Sequence, residues 1–407
     1  MNISAGRLIT TICCAEVLSM TGFSAFVTLL PVLAPEFGLN NSQAGLVSGI
    51  VLGGYMAGVP ILGPLTDRVD ARQVYGVAAL FAASGALGFS LVAHGFWSAF
   101  LCQALIGVGL AGTYIPGMKA LTDRLEGPLQ SRGAAIYGAM FGLGASVSLL
   151  LAGAIAEAFG WRNAFLVASA GPVGAAAIML LALERRIPRP AARPALFDFR
   201  PVLRNDAVRP YFFATAAHSW ELHATRSWLV AFLTFAAGLR SGADGVTVSV
   251  AFSAALIFLL GPIASVSGNE FALRLGRARM MTFGSALSAV ASCIIGFLAG
   301  SPWIALLVFA AIHMYLIGID AGTMTAGVVN AAEPAHRGST LTLYSLVGFG
   351  TGFISPTVFG VVLDLAGGRG ELVAWGLAFA SLGMVAVLGV IPARLLARRE
   401  KALTRAR

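Results

Sequence analysis

Residues 73–93 read QVYGVAALFAASGALGFSLVA and contain no charged side chain. After a short break at His94 and Gly95, residues 96–121 read FWSAFLCQALIGVGLAGTYIPGMKAL, in which Lys119 is the single charge. An apolar run of about 20 residues is long enough for an α-helix to cross the hydrocarbon core of a bilayer. This stretch therefore predicts two consecutive helices that span a membrane.

The rest of the chain has the same composition. Of its 407 residues, 57% are hydrophobic and 11% are charged, whereas soluble globular proteins carry roughly 25% charged residues. This excludes a soluble enzyme, a disulfide-framed secreted domain and a disordered scaffold. The four cysteines lie in apolar stretches without paired spacing, so we expect neither a disulfide framework nor a zinc site.

Apolar runs between polar or Gly/Pro breaks predict an all-α membrane protein with twelve transmembrane helices and the lipid bilayer as its solvent. We expect these helices near residues 8–33, 42–62, 73–93, 96–121, 132–158, 163–183, 210–237, 246–267, 280–300, 303–330, 338–364 and 372–392.

Positive charge is concentrated on one side of the predicted helices. Of the 27 Lys and Arg residues, 23 lie on the side that holds both ends of the chain. Arg162, Arg240 and Arg369 lie on the other side, and Arg226 lies within the seventh helix. Because cytoplasmic loops are enriched in Lys and Arg, we expect a protein of the plasma (inner) membrane with both termini in the cytoplasm. The basic charge is thus explained without a nucleic-acid partner.

The long polar segment 184–209, rich in Pro and Arg, divides the chain into halves. We expect a six-helix bundle over residues 1–183, a cytoplasmic linker over 184–209, and a second six-helix bundle with a short basic tail over 210–407. A shift of 207 residues aligns the two halves, as in transporters built from parallel repeats. The aligned pairs are Tyr137 with Tyr344, Gly153 with Gly360, Glu157 with Asp364, Gly160 with Gly367 and Arg162 with Arg369.

The loop between the second and third helices reads GPLTDRVDAR over residues 63–72. It resembles the signature loop of the major facilitator superfamily, G-x-L-x-D-R-x-G-R-R/K, although Asp70 replaces the second glycine and Ala71 a basic residue. Residues 268–279, GNEFALRLGRAR, are similar to the degenerate second copy of that loop. With the twelve spans and the repeat, the resemblance covers the whole chain and implies the superfamily fold.

In this superfamily the loop is part of a cytoplasmic gate, so the resemblance implies gate residues in both copies. Arginines below the membrane can pair with acids or helix C-terminal carbonyls in one conformation and lose these partners in another. The alternative is that they are ordinary basic residues of cytoplasmic loops. The implied gate residues are Gly63, Asp67, Arg68, Arg72, Glu270, Arg274 and Arg277.

Two subclasses of the superfamily are disfavoured. Its drug/proton antiporters usually carry an arginine in the fourth helix, where this chain has Gln103, and a Gly-Pro pair in the fifth, which lacks proline here. Nitrate carriers are expected to have arginines in the second and eighth helices, and neither contains one.

Ionisable residues within the predicted spans are candidate functional residues, because each costs on the order of 2.5–3.5 kcal/mol at the centre of a membrane helix. In the superfamily, the helices that resemble the first, fourth, seventh and tenth line the central cavity. Three of these four helices carry the ionisable residues, which are Glu16, His218, Glu221, His223, Arg226, His313 and Asp320.

Helical spacing places many of these groups together. The polar residues of the seventh helix occupy an arc of roughly 200°, which cannot all face lipid. His218 and Glu221 are three residues apart and can interact, as can His223 and Arg226. Carboxylates and histidines in a partly dehydrated cavity suit proton-coupled transport, and a static ion-pair network is the alternative.

We therefore expect a secondary active transporter that moves a small polar or ionic solute, such as an organic anion or a zwitterion, together with protons. No phosphate-binding Gly-x-x-x-x-Gly-Lys-Ser/Thr loop is present, so ATP does not drive it. The alternatives are a transporter-shaped ligand sensor or assembly partner, a metal-ion transporter, and an intramembrane metalloenzyme, which the missing His-Glu-x-x-His motif disfavours. We expect a monomer with no enzymatic activity, cofactor or bound metal.

Overall fold

The computed structural model describes residues 4–186, 199–240, 249–333 and 336–392, together with Arg394 and Leu396. Within these residues every regular element is a helix. The α-helices are α1 (Ala5–Ser19), α2 (Ala25–Glu36), α3 (Asn41–Leu65), α4 (Ala71–Val92), α5 (Phe96–Thr122), α6 (Pro128–Phe159), α7 (Trp161–Ala182), α8 (Arg200–Arg204), α9 (Arg209–Gly238), α10 (Val250–Leu275), α11 (Arg277–Ile295), α12 (Trp303–Gly318), α13 (Ala321–Ala331), α14 (Arg337–Leu365) and α15 (Leu372–Ala386).

Ten segments of the described chain are long and apolar enough to cross a membrane. They comprise α3 to α7, α10, α14 and three segments longer than one α-helix, namely Arg277–Gly300, Trp303–Ala331 and Leu372–Pro392. The short α2 and the polar α9 are not among the ten. The prediction of an all-helical membrane protein is confirmed at this level.

The described residues divide into two compact units. Unit 1 contains residues 4–39, 46–186 and 249–256. In this unit α4 packs on α5 and α7, and α1 packs on α6 and α7. Small residues allow close approach of the helices, since a side chain at Gly109 would collide with Ala82 of α4.

Unit 2 contains residues 40–45, 199–240, 257–333 and 336–392, with Arg394 and Leu396. Here α9 packs on α14, and α11 packs on α15. Aromatic side chains fill the contact between α9, α14 and α15, where Trp228 stacks on Phe359 and its Nε1 donates to the Pro356 carbonyl at 2.9 Å. This packing fixes one side of α9.

The first predicted helix, 8–33, is two helices, because the chain turns between Met20 and Ser24. Ser148 of α6 satisfies the backbone groups that the turn frees. Its hydroxyl accepts from the Ser24 amide at 2.9 Å and donates to the Thr21 carbonyl at 2.7 Å. Buried backbone groups need such partners inside a membrane protein.

The tenth predicted helix, 303–330, is also interrupted, between α12 and α13 at Ile319 and Asp320. Glycines from two neighbouring helices make room for this break. A side chain at Gly268 of α10 would overlap the Ile319 carbonyl, and a Cβ at Gly284 of α11 would lie 3.2 Å from that of Asp320. The break thus places Asp320 at the end of one helix and the start of another.

Candidate functional site

The interior of unit 2 holds two contacts between a histidine and a carboxylate. Glu221 of α9 is 2% exposed and faces His313 of α12. His218, one turn earlier on α9, faces Asp320 at the break between α12 and α13. This differs from the expected contact between His218 and Glu221, because each side chain meets a partner on another helix.

The first contact is a continuous hydrogen-bonded chain. Ser292 of α11 donates to Glu221 Oε1 at 2.6 Å, and Ser288 donates to Glu221 Oε2 at 2.9 Å. His313 Nε2 lies 2.7 Å from the Ser292 hydroxyl and 3.4 Å from Glu221 Oε1. Since the hydroxyl proton of Ser292 is used toward Glu221, His313 Nε2 is the donor toward Ser292. A proton can therefore pass between His313 and Glu221 through one hydroxyl.

The second contact is less complete. His218 Nδ1 lies 2.9 Å from Asp320 Oδ1, although no hydrogen bond joins these two atoms. Ser285 donates to the other oxygen, Asp320 Oδ2, at 3.2 Å. The carboxylate at the helix break thus contacts His218 through one oxygen and Ser285 through the other.

Three serines of α11 that sequence reasoning missed connect the two contacts. Ser285, Ser288 and Ser292 are spaced by three and four residues, which places them on one face of the helix. Their hydroxyls bind both carboxylates. The spacing was visible in the otherwise apolar segment 285–295, although a serine alone in a membrane helix more often bonds its own backbone.

His223 and Arg226 lie further along α9. His223 Nδ1 donates to the Ser219 carbonyl at 2.9 Å, so its second nitrogen points away from the helix backbone. The guanidinium of Arg226 lies over the ring of Phe258 in α10, 5.6 Å from its centroid. The expected contact between His223 and Arg226 is replaced by these separate partners.

Glu16 lies in unit 1, fully buried in α1. The Tyr137 hydroxyl of α6 donates to Glu16 Oε2 at 2.6 Å, whereas Glu16 Oε1 has no hydrogen-bond partner among the described residues. In the described part of the chain, Glu16 forms no ion pair with a Lys, Arg or His side chain. Gln103 of α5 is equally buried, and neither end of its amide has a partner within the same residues.

The signature loop of unit 1 is held mainly by a residue that departs from the family pattern. Asp70 caps α4 by accepting from the Arg72 amide, and its Oδ2 accepts from Arg72 Nε at 3.0 Å and from the Arg186 amide at 2.9 Å. Arg72 also donates to the Leu183 carbonyl at 2.6 Å. Asp70 and Arg72 together tie this loop to the end of α7.

The other residues of the first loop that we expected in a gate make weaker contacts. Asp67 is exposed, and its carboxylate lies 3.7 Å from Lys119. Arg68 is exposed and forms no ion pair with the described residues, and Gly63 has open space where a side chain would stand. Nearby, Arg124 donates to the Glu184 carbonyl at 2.7 Å. Burial lowers the pKa of its guanidinium, and the Asp70 carboxylate opposes that effect.

In the second loop, Glu270 and Arg274 are exposed on the last turns of α10. Arg277 begins α11 and is half-buried. Its guanidinium donates to the side-chain oxygen of Asn330 at 2.8 and 3.0 Å when that amide is oriented by its hydrogen bonds. Arg277 therefore resembles Arg72 in binding a neighbouring helix end, whereas Glu270 and Arg274 face outward.

No group of three or more His, Cys, Asp or Glu side chains that could hold a metal ion occurs among the residues the structure describes. Within these ranges the His218 and His313 contacts each contain one carboxylate and serines, and serine hydroxyls are poor ligands for zinc. The arrangement suits proton exchange better than metal binding.

Comparison with known proteins agrees with this fold. The model of the Major Facilitator Superfamily matches residues 12–268. Monocarboxylate transporter 11 of Mus musculus is 28% identical over 366 residues, which cover 88% of this chain and 74% of that protein. The crystal structure of nucleoside transporter NupG matches with a TM-score of 0.76 at 15% identity, over 95% of this chain and 99% of that one.

A bacterial homologue of the human lysosomal transporter Spinster, in an inward-facing and unoccupied conformation, gives a TM-score of 0.73 at 16% identity, over 97% of this chain and 96% of that one. These matches are transporters and not enzymes. The predictions of a transporter fold and of no enzymatic activity are confirmed.

Proposed function

Because the chain belongs to the Major Facilitator Superfamily, we propose that it is a secondary active transporter driven by protons. It moves a small polar or ionic solute across the membrane by alternating access. The observation that carries this proposal is the pair of histidine–carboxylate contacts, joined by the serines of α11, in the interior of unit 2.

The chemistry of these groups supports proton coupling. Histidine exchanges protons near neutral pH, and the Ser292 hydroxyl bridges His313 to Glu221 at hydrogen-bond distances. Asp320 Oδ1 lies 2.9 Å from His218 Nδ1, so a proton can be exchanged between these two groups.

The organic-anion class of solute is supported by the name of the mouse relative, a monocarboxylate transporter.

We further propose twelve membrane helices in two six-helix bundles, 1–183 and 210–407, joined by a cytoplasmic linker over 184–209. The protein acts as a monomer in the plasma membrane with both termini in the cytoplasm. Residues 187–198 of the linker lie outside the described part of the chain.

The direct test is uptake into proteoliposomes under an imposed pH gradient, with a pH-sensitive dye inside the vesicles. We expect one or more small organic acids or zwitterions to accumulate above their external concentration, with acidification of the lumen at the same rate. If every solute only reached equal concentrations inside and outside the vesicles at every imposed gradient, proton coupling would be contradicted. The protein would then be a facilitator of passive solute movement.

The topology is tested by labelling in intact cells. Arg200 is exposed at the start of α8, and His94 is exposed between α4 and α5. In a variant lacking the four native cysteines, Arg200→Cys should react with an impermeant maleimide only after permeabilisation, whereas His94→Cys should react in intact cells. Labelling of Arg200→Cys from outside would overturn the cytoplasmic linker.

The gate loop should affect transport more than binding. The ion pair of Asp67 and Lys119 is exposed, and such pairs contribute only about 0–1 kcal/mol to stability. Asp67→Asn and Arg68→Ala should therefore fold normally and bind solute, yet slow transport severalfold. Asp123→Asn is the matched control, since it removes the other carboxylate near Lys119, at 3.3 Å. Equal losses of binding and transport would argue against a gate.

A further inference from the structure

Arg226 is a charged side chain without an acidic partner in the middle of α9. Its Nε is buried and forms no hydrogen bond with the residues the structure describes. An arginine stays charged in proteins and cannot lower its burial cost by losing a proton. A cation in this position needs an anion, and ionisable residues inside membrane helices commonly mark solute pathways.

The two buried acids of the described part of unit 2 already have other partners. Glu221 accepts hydrogen bonds from two serines and lies beside His313, and Asp320 lies against His218 and Ser285. No ion pair between Arg226 and an acid is present among the described residues. In the described part of unit 2, no acidic side chain therefore pairs with the Arg226 guanidinium.

Arg226 is partly exposed, and two residues of α10 border its guanidinium. Phe258 covers one side of the group, and the ring face favours a cation while offering it no hydrogen-bond acceptor. On α10, three residues further, a Cβ at Gly261 would lie 3.3 Å from Arg226 Nη2. Glycine at this position avoids a side chain against Nη2.

We infer that Arg226 binds a carboxylate of the transported solute, with Phe258 beneath the guanidinium and Gly261 beside its edge. The solute is then a small carboxylic acid anion, because the planar guanidinium matches a carboxylate with two parallel hydrogen bonds. Unit 2 has no second Lys or Arg in the middle of a described helix, so one negative charge suits this site better than the two of a phosphate. This inference rests on the proposed function, since it assigns the solute of the same transporter.

Thermal unfolding of the purified full-length protein tests the site with matched probes. Acetate, lactate and benzoate are each compared with acetamide, lactamide and benzamide, and inorganic phosphate is a separate arm. We expect at least one carboxylate to stabilise the protein while its amide does not. Arg226→Gln should weaken that binding at least tenfold, and Arg226→Lys should restore only part of it because lysine lacks the planar fork.

Two further variants serve as controls. Arg209→Gln removes an exposed arginine of the same helix, paired with Asp206 at its surface, and should keep the wild-type affinity. If Arg226→Gln does not fold, Gly261→Ala is used instead. Its methyl group would stand 3.3 Å from the guanidinium and should weaken carboxylate binding severalfold. The site would be overturned if no carboxylate stabilised the protein more than its amide, or if phosphate bound more tightly than the carboxylates. It would also be overturned if the folded Arg226→Gln or Gly261→Ala variant bound the carboxylate with wild-type affinity.

Uptake driven by a pH gradient, measured on the same preparations, separates this inference from the proposed function. Proton-driven accumulation of a solute without a carboxylate, unchanged in Arg226→Gln, would overturn the anion site alone. Carboxylate binding that depends on Arg226 but never leads to pH-driven accumulation would overturn proton coupling alone.

Discussion

Either Glu221→Gln or Asp320→Asn, whichever removes the carboxylate that carries the coupling proton, is expected to exchange solute across the membrane but to lose accumulation driven by a pH gradient. Each amide has nearly the shape of the protonated acid and cannot release the proton. If either carboxylate carries the coupling proton, its variant is fixed in the protonated form and can still bind solute. The serines that bind Glu221 can remain hydrogen-bonded to an amide.

The size of the effect follows from the driving force. A pH difference of one unit corresponds to about 1.4 kcal/mol, or about a tenfold accumulation when one proton accompanies each solute. We expect wild-type vesicles to approach this ratio and the variant that lost the coupling carboxylate to remain near equal concentrations. Counterflow, which needs no gradient, should persist in both.

A purely structural role gives a different result. Breaking a buried ion pair by removing one partner costs about 3–5 kcal/mol, so counterflow, accumulation and thermal stability would all fall together. Asp206→Asn, which alters an exposed carboxylate at the start of the same unit, is the control for both assays. Full gradient-driven uptake in both amide variants would remove Glu221 and Asp320 from the coupling mechanism.

The sequence predicted the helices whose apolar runs are long and uniform. Residues 73–93 and 163–183, for example, closely match α4 and α7, because length and hydropathy alone define a membrane span. The breaks within the first and tenth predicted helices were not predicted. These breaks depend on Ser148 and Gly268, which come from other helices and carry no local signal.

The candidate site shows the same limit. Counting residues placed His218 and Glu221 on one face of α9, and the structure keeps them in one unit. Their partners, however, depend on how α11 and α12 are rotated against α9, and helical periodicity does not contain that rotation. The resemblance to the signature loop directed attention to Asp67 and Arg68, whereas Asp70, where the family pattern has glycine, accepts three hydrogen bonds through its carboxylate.

Gly268→Ala is expected to be among the most damaging single substitutions in unit 2. The added methyl group would overlap the Ile319 carbonyl, and a backbone atom cannot rotate away as a flexible side chain can. Overpacking of this kind typically costs about 1–3 kcal/mol. Because Ile319 precedes Asp320, the displaced segment would also carry the carboxylate away from His218 and Ser285.

The equivalent glycine of the first signature loop provides the comparison. Gly63 has no atom within 4 Å of the position of an added Cβ, and alanine favours a helix over glycine by about 1 kcal/mol. Gly63→Ala should therefore leave the unfolding temperature unchanged or raise it, whereas Gly268→Ala should lower it and reduce pH-driven uptake. Equal unfolding temperatures for the two variants would show that the backbone at Ile319 can move to accept the added methyl group. The position of Asp320 would then not depend on Gly268.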